Sequence, residues 1–135
     1  MQQHRIYLIG GDDDESVTFT EEIINDTCRL TCVYRGKKIY ADAPDFFEAL
    51  CHIRWTLEQE RLFLFCYGGS MNVYPSELTR SRLQGKKAYR MTMGKEVGME
   101  DLVDIFAEGP DVIPASVAMQ LQYLKDWMAG EKKPG

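Results

Sequence analysis

The chain has 135 residues, a formal net charge of −5 at pH 7, and hydrophobic and charged fractions of 44% and 27%. That length predicts one domain, which is large enough to bury a core without disulfide or metal support. The composition is that of a globular protein, and the acidic balance argues against a general nucleic-acid-binding protein, which needs a basic face.

The sequence predicts a cytoplasmic protein with no membrane or nucleic-acid partner. No apolar run is long enough to cross a membrane, and the first eleven residues contain too short an apolar stretch for a signal peptide. In a reducing compartment, cysteines inside apolar runs are expected to be buried free thiols. The four cysteines all have this setting: Cys28, Cys32, Cys51 and Cys66.

Three strands are predicted at the start of the chain. His4 to Ile9 forms the first, and the acidic turn Asp12 to Glu15 follows it. Ser16 to Ile24 is rich in β-forming residues and ends at the turn signal Asn25-Asp26. From residue 28 to 34, inward-facing and outward-facing positions alternate with a period of two, as in a half-buried strand.

A hairpin and a helix are predicted next. Arg35-Gly36-Lys37 predicts a turn, and Lys38 to Ala41 forms the returning strand. Pro44 suits a first helical turn, because its missing N–H would have no partner there, and Asp42 is the predicted cap. The helix should end near Glu60. Its inward positions recur at three-and-four spacing: Phe46, Phe47, Leu50, Ile53, Arg54 and Leu57.

The second half begins with an apolar run. Arg61 to Tyr67 is predicted to be a central strand covered on both faces, because both of its faces are apolar. It breaks at Gly68-Gly69 into a long polar loop, Ser70 to Arg82, which we expect to be available for contact. Two further strands are predicted, Lys87 to Met93 and Leu102 to Phe106, the latter because of its β-branched residues.

The last predicted helix opens at Pro114 and stops near Gly130. Its expected buried stripe consists of Val117, Leu121, Leu124 and Met128, and both tryptophans, Trp55 and Trp127, are expected in the core. Residues 1–130 would then form a single α+β domain, mainly an antiparallel sheet packed by two helices. Residues 131–135 form a polar tail that we expect to fray.

The sequence marks no catalytic or metal-binding constellation. Cys28 and Cys32 lack a second pair with zinc-ligand spacing, and the acidic turn lacks the spacing of a calcium-binding loop. Gly68-Gly69-Ser70 matches neither a nucleophile elbow nor a phosphate-binding loop. The two histidines, at positions 4 and 52, have no local partner that marks a nucleophile. We therefore expect no catalytic residue, no metal and no cofactor.

Two groups of residues are candidates for binding a partner protein. The first is the acidic turn with the nearby acids: Asp12, Asp13, Asp14, Glu15, Glu21, Glu22 and Asp26. The second is the 70–82 loop, where Tyr74 is the best exposed aromatic residue and Arg80 and Arg82 add charge. Tyr and Arg are enriched at interface hot spots. The two groups remain alternatives.

A series of short motifs runs through the second half of the chain. They are Cys66-Tyr67-Gly68, Asn72-Val73-Tyr74-Pro75-Ser76, Gly85 before Lys87-Ala88-Tyr89, Val103-Asp104-Ile105-Phe106, and Gln120 with Trp127. This series resembles a family of small bacterial immunity-type proteins encoded beside Rhs and related polymorphic toxins. The chain departs from the family pattern after Ser76, where Glu77-Leu78 replaces Gly-Met.

The resemblance implies a non-catalytic immunity protein that binds a cognate toxin domain and occludes its active site. Many toxins that attack nucleic acid are basic, so an acidic partner would gain association rate from electrostatic steering. Two alternatives stay open. One is a small cytoplasmic enzyme that binds an anionic small molecule at the 68–82 loop, with Arg80 or Arg82 as the clamp, and the other is a secretion-system adaptor.

Overall fold

The computed structural model describes residues 1–134, so Gly135, the last residue of the predicted tail, lies outside it. Within these residues the chain is a small α+β domain with a five-stranded antiparallel sheet, a three-stranded sheet and three α-helices, which confirms the predicted fold class. The larger sheet contains β1 (Gln2–Ile9), β2 (Ser16–Ile24), β3 (Thr27–Tyr34), β4 (Lys37–Ala43) and β5 (Phe63–Leu64). The smaller sheet contains β6 (Val73–Tyr74), β7 (Lys87–Arg90) and β8 (Leu102–Asp104), and the helices are α1 (Phe46–Gln59), α2 (Glu77–Arg82) and α3 (Val117–Ala129).

The larger sheet has the strand order β4-β3-β2-β1-β5. Its first four strands are consecutive antiparallel neighbours, and β3 follows the alternation predicted from the sequence. Phe19 pairs with Cys32 and Glu21 pairs with Leu30, so these side chains share the inner face that α1 covers. This inner face and α1 form the core together with buried residues of the second half of the chain, such as Val73, Ala88 and Ile105.

Helix α1 begins later than the sequence predicted. Its N-cap is Asp45, whose Oδ1 accepts a hydrogen bond from the Glu48 N–H at 2.8 Å. The predicted cap, Asp42, instead lies in β4 and forms a two-pronged ion pair with Arg29. A residue before proline is biased toward extended backbone, so the chain stays in strand geometry up to Pro44 and the helix starts after it.

The predicted central strand over residues 61–67 is wrong. Only Phe63–Leu64 forms a strand, and it pairs with β1 at the edge of the sheet. Leu62, Leu64 and Cys66 are buried, whereas the two phenylalanines between them are half-exposed. Both faces of this run are apolar, but within residues 1–134 no second layer covers the outer face. The outer face instead presents apolar surface to solvent.

The predicted polar loop over residues 70–82 is also wrong, because it contains β6 and α2. Ser76 caps α2 by accepting from the Thr79 N–H, and the Thr79 hydroxyl accepts from the Ser76 N–H in return. This reciprocal capping arrangement stabilises a helix of only six residues. Strands β6, β7 and β8 then pair in sequence order to form the smaller sheet.

Helix α3 packs through a different face from the one predicted. Gln120 is its fully buried residue, while Leu121 and Met128 are 38% and 63% exposed. Trp55, which was predicted to be in the core, is 59% exposed on α1. The described part of the tail is paired through Lys133, whose backbone bonds to Gly94 and Glu96. No helix within residues 1–134 has the length and apolarity needed to cross a membrane.

Candidate functional site

The acidic turn connects β1 to β2 and presents three carboxylates to solvent. Asp12, Asp13 and Asp14 are exposed, and within residues 1–134 their side chains make no hydrogen bond or ion pair. Asp14 has φ +58°, a left-handed conformation that Asp adopts more readily than most residues. The three carboxylates are therefore free to interact with another molecule.

Glu15, the fourth acid of the turn, has an internal role. Its carboxylate accepts two hydrogen bonds from Arg35, at 2.6 and 2.9 Å, and a third from the Asp12 N–H at 2.9 Å. The bonds from Arg35, followed by that backbone contact, lower the pKa of Glu15 to about 2. Glu15 thus joins the acidic turn to the neighbouring hairpin and is not a free contact residue.

This ion pair makes folding sensitive to acid in a defined direction. The pKa of Glu15 is lower in the folded chain, so its stabilising effect is present above the ordinary value of 4.5 and is lost as the pH falls toward 2. We expect Arg35→Gln to raise the pKa of Glu15 from about 2 toward 4.5, as measured by NMR titration of its carboxyl carbon. Lys38→Gln, which changes an exposed cation on β4, is the matched control and should leave that pKa unchanged. An unchanged value in Arg35→Gln would contradict the assigned cause.

The remaining predicted acids lie at the other end of β2, so the seven acids do not form one surface. Nine residues of strand separate the two ends by roughly 25 Å. Glu21 is 7% exposed and is held between His4 and Lys86 at 2.8 and 3.0 Å. Glu22 is half-buried, and Asp26 is exposed in the β2–β3 turn.

The second predicted group is mostly occupied by internal contacts. Tyr74 was expected to be exposed, but its ring packs edge-on against Phe47 with centroids 5.0 Å apart. The Arg80 guanidinium lies 5.5 Å from the Tyr74 centroid and donates to the Asp45 carboxylate at 3.0 Å. Tyr74 and Arg80 therefore hold α2 and β6 against the start of α1. Arg82, at the end of α2, is exposed, and it is the one of the three that projects into solvent.

A buried polar cluster that sequence reasoning missed joins α1 to α3. Arg54 is 2% exposed, and its Nη1 donates to Gln120 Oε1 at 2.6 Å and to the Gly68 carbonyl at 3.1 Å. Its Nη2 donates to the Ala115 carbonyl at 2.9 Å. Gln120 Nε2 in turn donates to the carbonyls of Gly68 and Ser70. The available signal was an arginine inside the apolar stripe of a helix, since a buried charge requires partners.

Residues of the motif series are used to build the scaffold. The Tyr67 hydroxyl donates to Asp111 at 2.6 Å, and the Ser70 hydroxyl donates to Asn72 at 2.6 Å. Trp127 donates its indole N–H to the backbone carbonyls of Thr92 and Lys95, in the turn that follows β7. Together with Gln120 these side chains make internal contacts, so the motifs describe how the second half folds.

The cysteines are buried or half-buried and free. Burial raises the pKa of Cys32 to about 12 and that of Cys66 to about 11, so both thiols stay un-ionised at neutral pH. His4 stacks on Phe106 with ring centroids 4.1 Å apart. Across residues 1–134, no three His, Cys, Asp or Glu side chains come together in a group that could hold a metal ion.

Comparison with known proteins found no family model and no curated protein that matches this chain. The residues themselves leave three exposed polar features from the predicted groups: the acidic turn Asp12–Asp14, Asp26 and Arg82. Three adjacent carboxylates present more charge at one place than a single carboxylate or guanidinium does. The acidic turn is therefore the stronger candidate for contact with a partner.

Proposed function

We propose that this chain is a cytoplasmic immunity protein that binds a cognate Rhs-type polymorphic toxin domain and occludes its active site without catalysis. The observation that carries the proposal is the unpaired acidic turn. Other acids of the chain, such as Glu15, Glu21 and Asp45, bind an internal cationic side chain. Asp12, Asp13 and Asp14 are exposed and do not, so their charge is available to a molecule outside the chain.

The physical demands of such a role agree with the rest of the molecule. An inhibitor binds more tightly when little of its own surface must be ordered on binding. The buried contacts among Arg54, Gln120 and the backbone near Gly68 hold α1, α3 and the motif segments in one arrangement. Unpaired carboxylates at the surface accelerate the approach of a basic toxin domain.

The test is co-expression of the full chain with the toxin domain encoded beside it. We expect rescue of cell growth and a complex that co-purifies through size-exclusion chromatography. Persistent growth arrest in cells that accumulate folded chain would overturn the proposal. A stable complex with a secretion component, without rescue, would identify an adaptor instead. Turnover of an anionic small molecule that Arg82→Ala abolishes would identify an enzyme.

A further inference from the structure

The outer face of the larger sheet carries an apolar patch where β1 meets β5. In this pair Leu8 lies opposite Leu64 and Ile9 lies opposite Phe63. The Phe65 N–H donates to the Tyr7 carbonyl at 2.9 Å and extends the pairing by one residue. Leu8 and Leu64 are buried on the inner face, so the side chains that alternate with them share the outer face. The outer patch consists of Tyr7, Ile9, Phe63 and Phe65.

This patch is open to solvent. Tyr7 and Ile9 are 38% and 46% exposed, and the two phenylalanines are half-buried. Phe65 also packs against the edge of the core. Four adjacent apolar side chains on an exposed sheet face are uncommon in a protein that acts alone, and they typically mark an interaction site.

The rim of the outer patch is acidic. A shallow hollow is lined by Tyr7, Ile9 and Phe65 together with the carboxylates of Asp14 and Glu108. Glu108 and Phe65 also line an adjoining hollow that continues along the surface. The acidic turn begins three residues after Ile9, and of its three free carboxylates Asp14 lines the hollow, while Asp12 and Asp13 directly precede it in the exposed turn. Two cations lie at the same edge of the sheet: Arg5, whose guanidinium lies 5.1 Å from the Tyr7 ring centroid, and the exposed Arg61, two residues before Phe63.

We propose that the outer patch and its acidic rim are the surface that docks the toxin domain. This inference rests on the proposed function and names the interface that serves it. Protein interfaces combine a desolvated apolar centre with a polar rim, and tyrosine is among their common anchor residues. The occupant is therefore a protein surface with an apolar anchor surrounded by Lys and Arg. A second copy of this chain fits less well, because its own acidic rim would be brought against this one.

A second exposed aromatic surface lies on the opposite side of the molecule. Trp55 and His52 stand on α1, which covers the inner face of the sheet, and with Cys51 and Val117 they line a small groove. The four residues that line this groove include no carboxylate, lysine or arginine that would indicate its partner. Trp55 is therefore a suitable control for the loss of an exposed aromatic side chain.

The experiment measures binding of the full chain to the toxin domain encoded beside it, by titration calorimetry and by stopped-flow association. Two variants test the interface. Tyr7→Ala with Ile9→Ala removes the apolar centre and should weaken binding about thirtyfold or more, the scale of a hot spot. The triple change of Asp12, Asp13 and Asp14 to Asn keeps the turn geometry. It should slow association about tenfold at low salt and reduce its salt dependence.

The controls distinguish failure of the proposed interface from failure of the proposed immunity function. Trp55→Ala and Asp26→Asn should bind like the unaltered chain, and circular dichroism checks that each variant is folded. If the Tyr7 and Ile9 double variant is unfolded, the Asn variant alone decides, because its changes lie in an exposed turn. Normal binding by the patch variants, or a patch-dependent dimer of this chain in sedimentation, would overturn the interface while leaving the immunity proposal intact. An unaltered chain that fails to bind the toxin domain would overturn both.

Discussion

Replacing Arg54 with Met should lower the free energy of unfolding by about 3 kcal/mol or more. The methionine retains an apolar stem but removes the donors that serve Gln120, Gly68 and Ala115, at 2.6, 3.1 and 2.9 Å. Each buried acceptor left without a donor costs about 1–3 kcal/mol. The loss would be a large fraction of the roughly 5–15 kcal/mol that stabilises a typical domain.

The measurement is urea unfolding followed by circular dichroism, with the midpoint and slope compared between variants. Thr56→Ala changes an exposed position of the same helix and should have little effect. Arg54→Lys retains the charge but not the forked donor geometry, so it should fall between the unaltered chain and the Met variant. A Met variant as stable as Thr56→Ala would refute the structural role of this cluster.

Gln120→Leu provides a second test of the same cluster. Arg54 and Gln120 share one hydrogen bond and also share the Gly68 carbonyl as an acceptor. Substitutions within one hydrogen-bond network do not have additive effects on stability, and the coupling between them typically amounts to about 0.5–3 kcal/mol. The double variant should therefore lose less stability than the sum of the single losses. Strict additivity would show that the two side chains act independently.

The parts of the fold that could be predicted from the sequence are those determined by local chemistry. Residues 28–34 alternate inward and outward positions, and Asn25-Asp26 supplies the left-handed backbone of a tight turn. These signals place every end of β1 to β4 to within two residues of its observed position. The antiparallel order follows, because short turns join consecutive strands as hairpins.

The parts that failed depend on contacts between distant segments. The apolar run at 61–67 was read as doubly covered, yet whether a sheet face is covered depends on how many helices lie over it. Tyr74 and Arg80 were read as exposed because they lie in a polar stretch, although Asp45 and Phe47 lie about 30 residues earlier and bind them. The stripe of α3 was read from its leucines and methionines, but its deepest residue is Gln120, which Arg54 requires as a partner.

The acidic turn was identified from the sequence and its role was not. Four consecutive acids are visible in the sequence, but their separation into one paired and three free carboxylates depends on Arg35, twenty residues away. The grouping with Glu21, Glu22 and Asp26 failed because a nine-residue strand places them at the opposite end. The apolar patch beside the turn required the register of β5 on β1, which the sequence does not specify.

Gly68→Ala should lower the free energy of unfolding by about 2–3 kcal/mol. An added Cβ would lie 2.6 Å from Leu50 Cδ2 and 3.0 Å from both Cβ and the carbonyl oxygen of Ile105. The Ile105 backbone cannot retreat freely, because that carbonyl accepts the Gly68 N–H at 2.8 Å. A shift of Gly68 would also move the carbonyl that Arg54 and Gln120 bind.

Gly130→Ala is the matched control, since its added Cβ would meet its nearest atom at an ordinary 3.6 Å and its φ is −82°. Thermal and urea unfolding should separate the two variants clearly. Leu50→Ala distinguishes steric overlap from a general effect of the methyl group, because it removes the atom nearest to the new Cβ. The Gly68→Ala, Leu50→Ala double variant should lose less stability than the sum of its single changes. A Gly68→Ala variant as stable as Gly130→Ala would show that the glycine is not needed for close packing of the motif segment against α1.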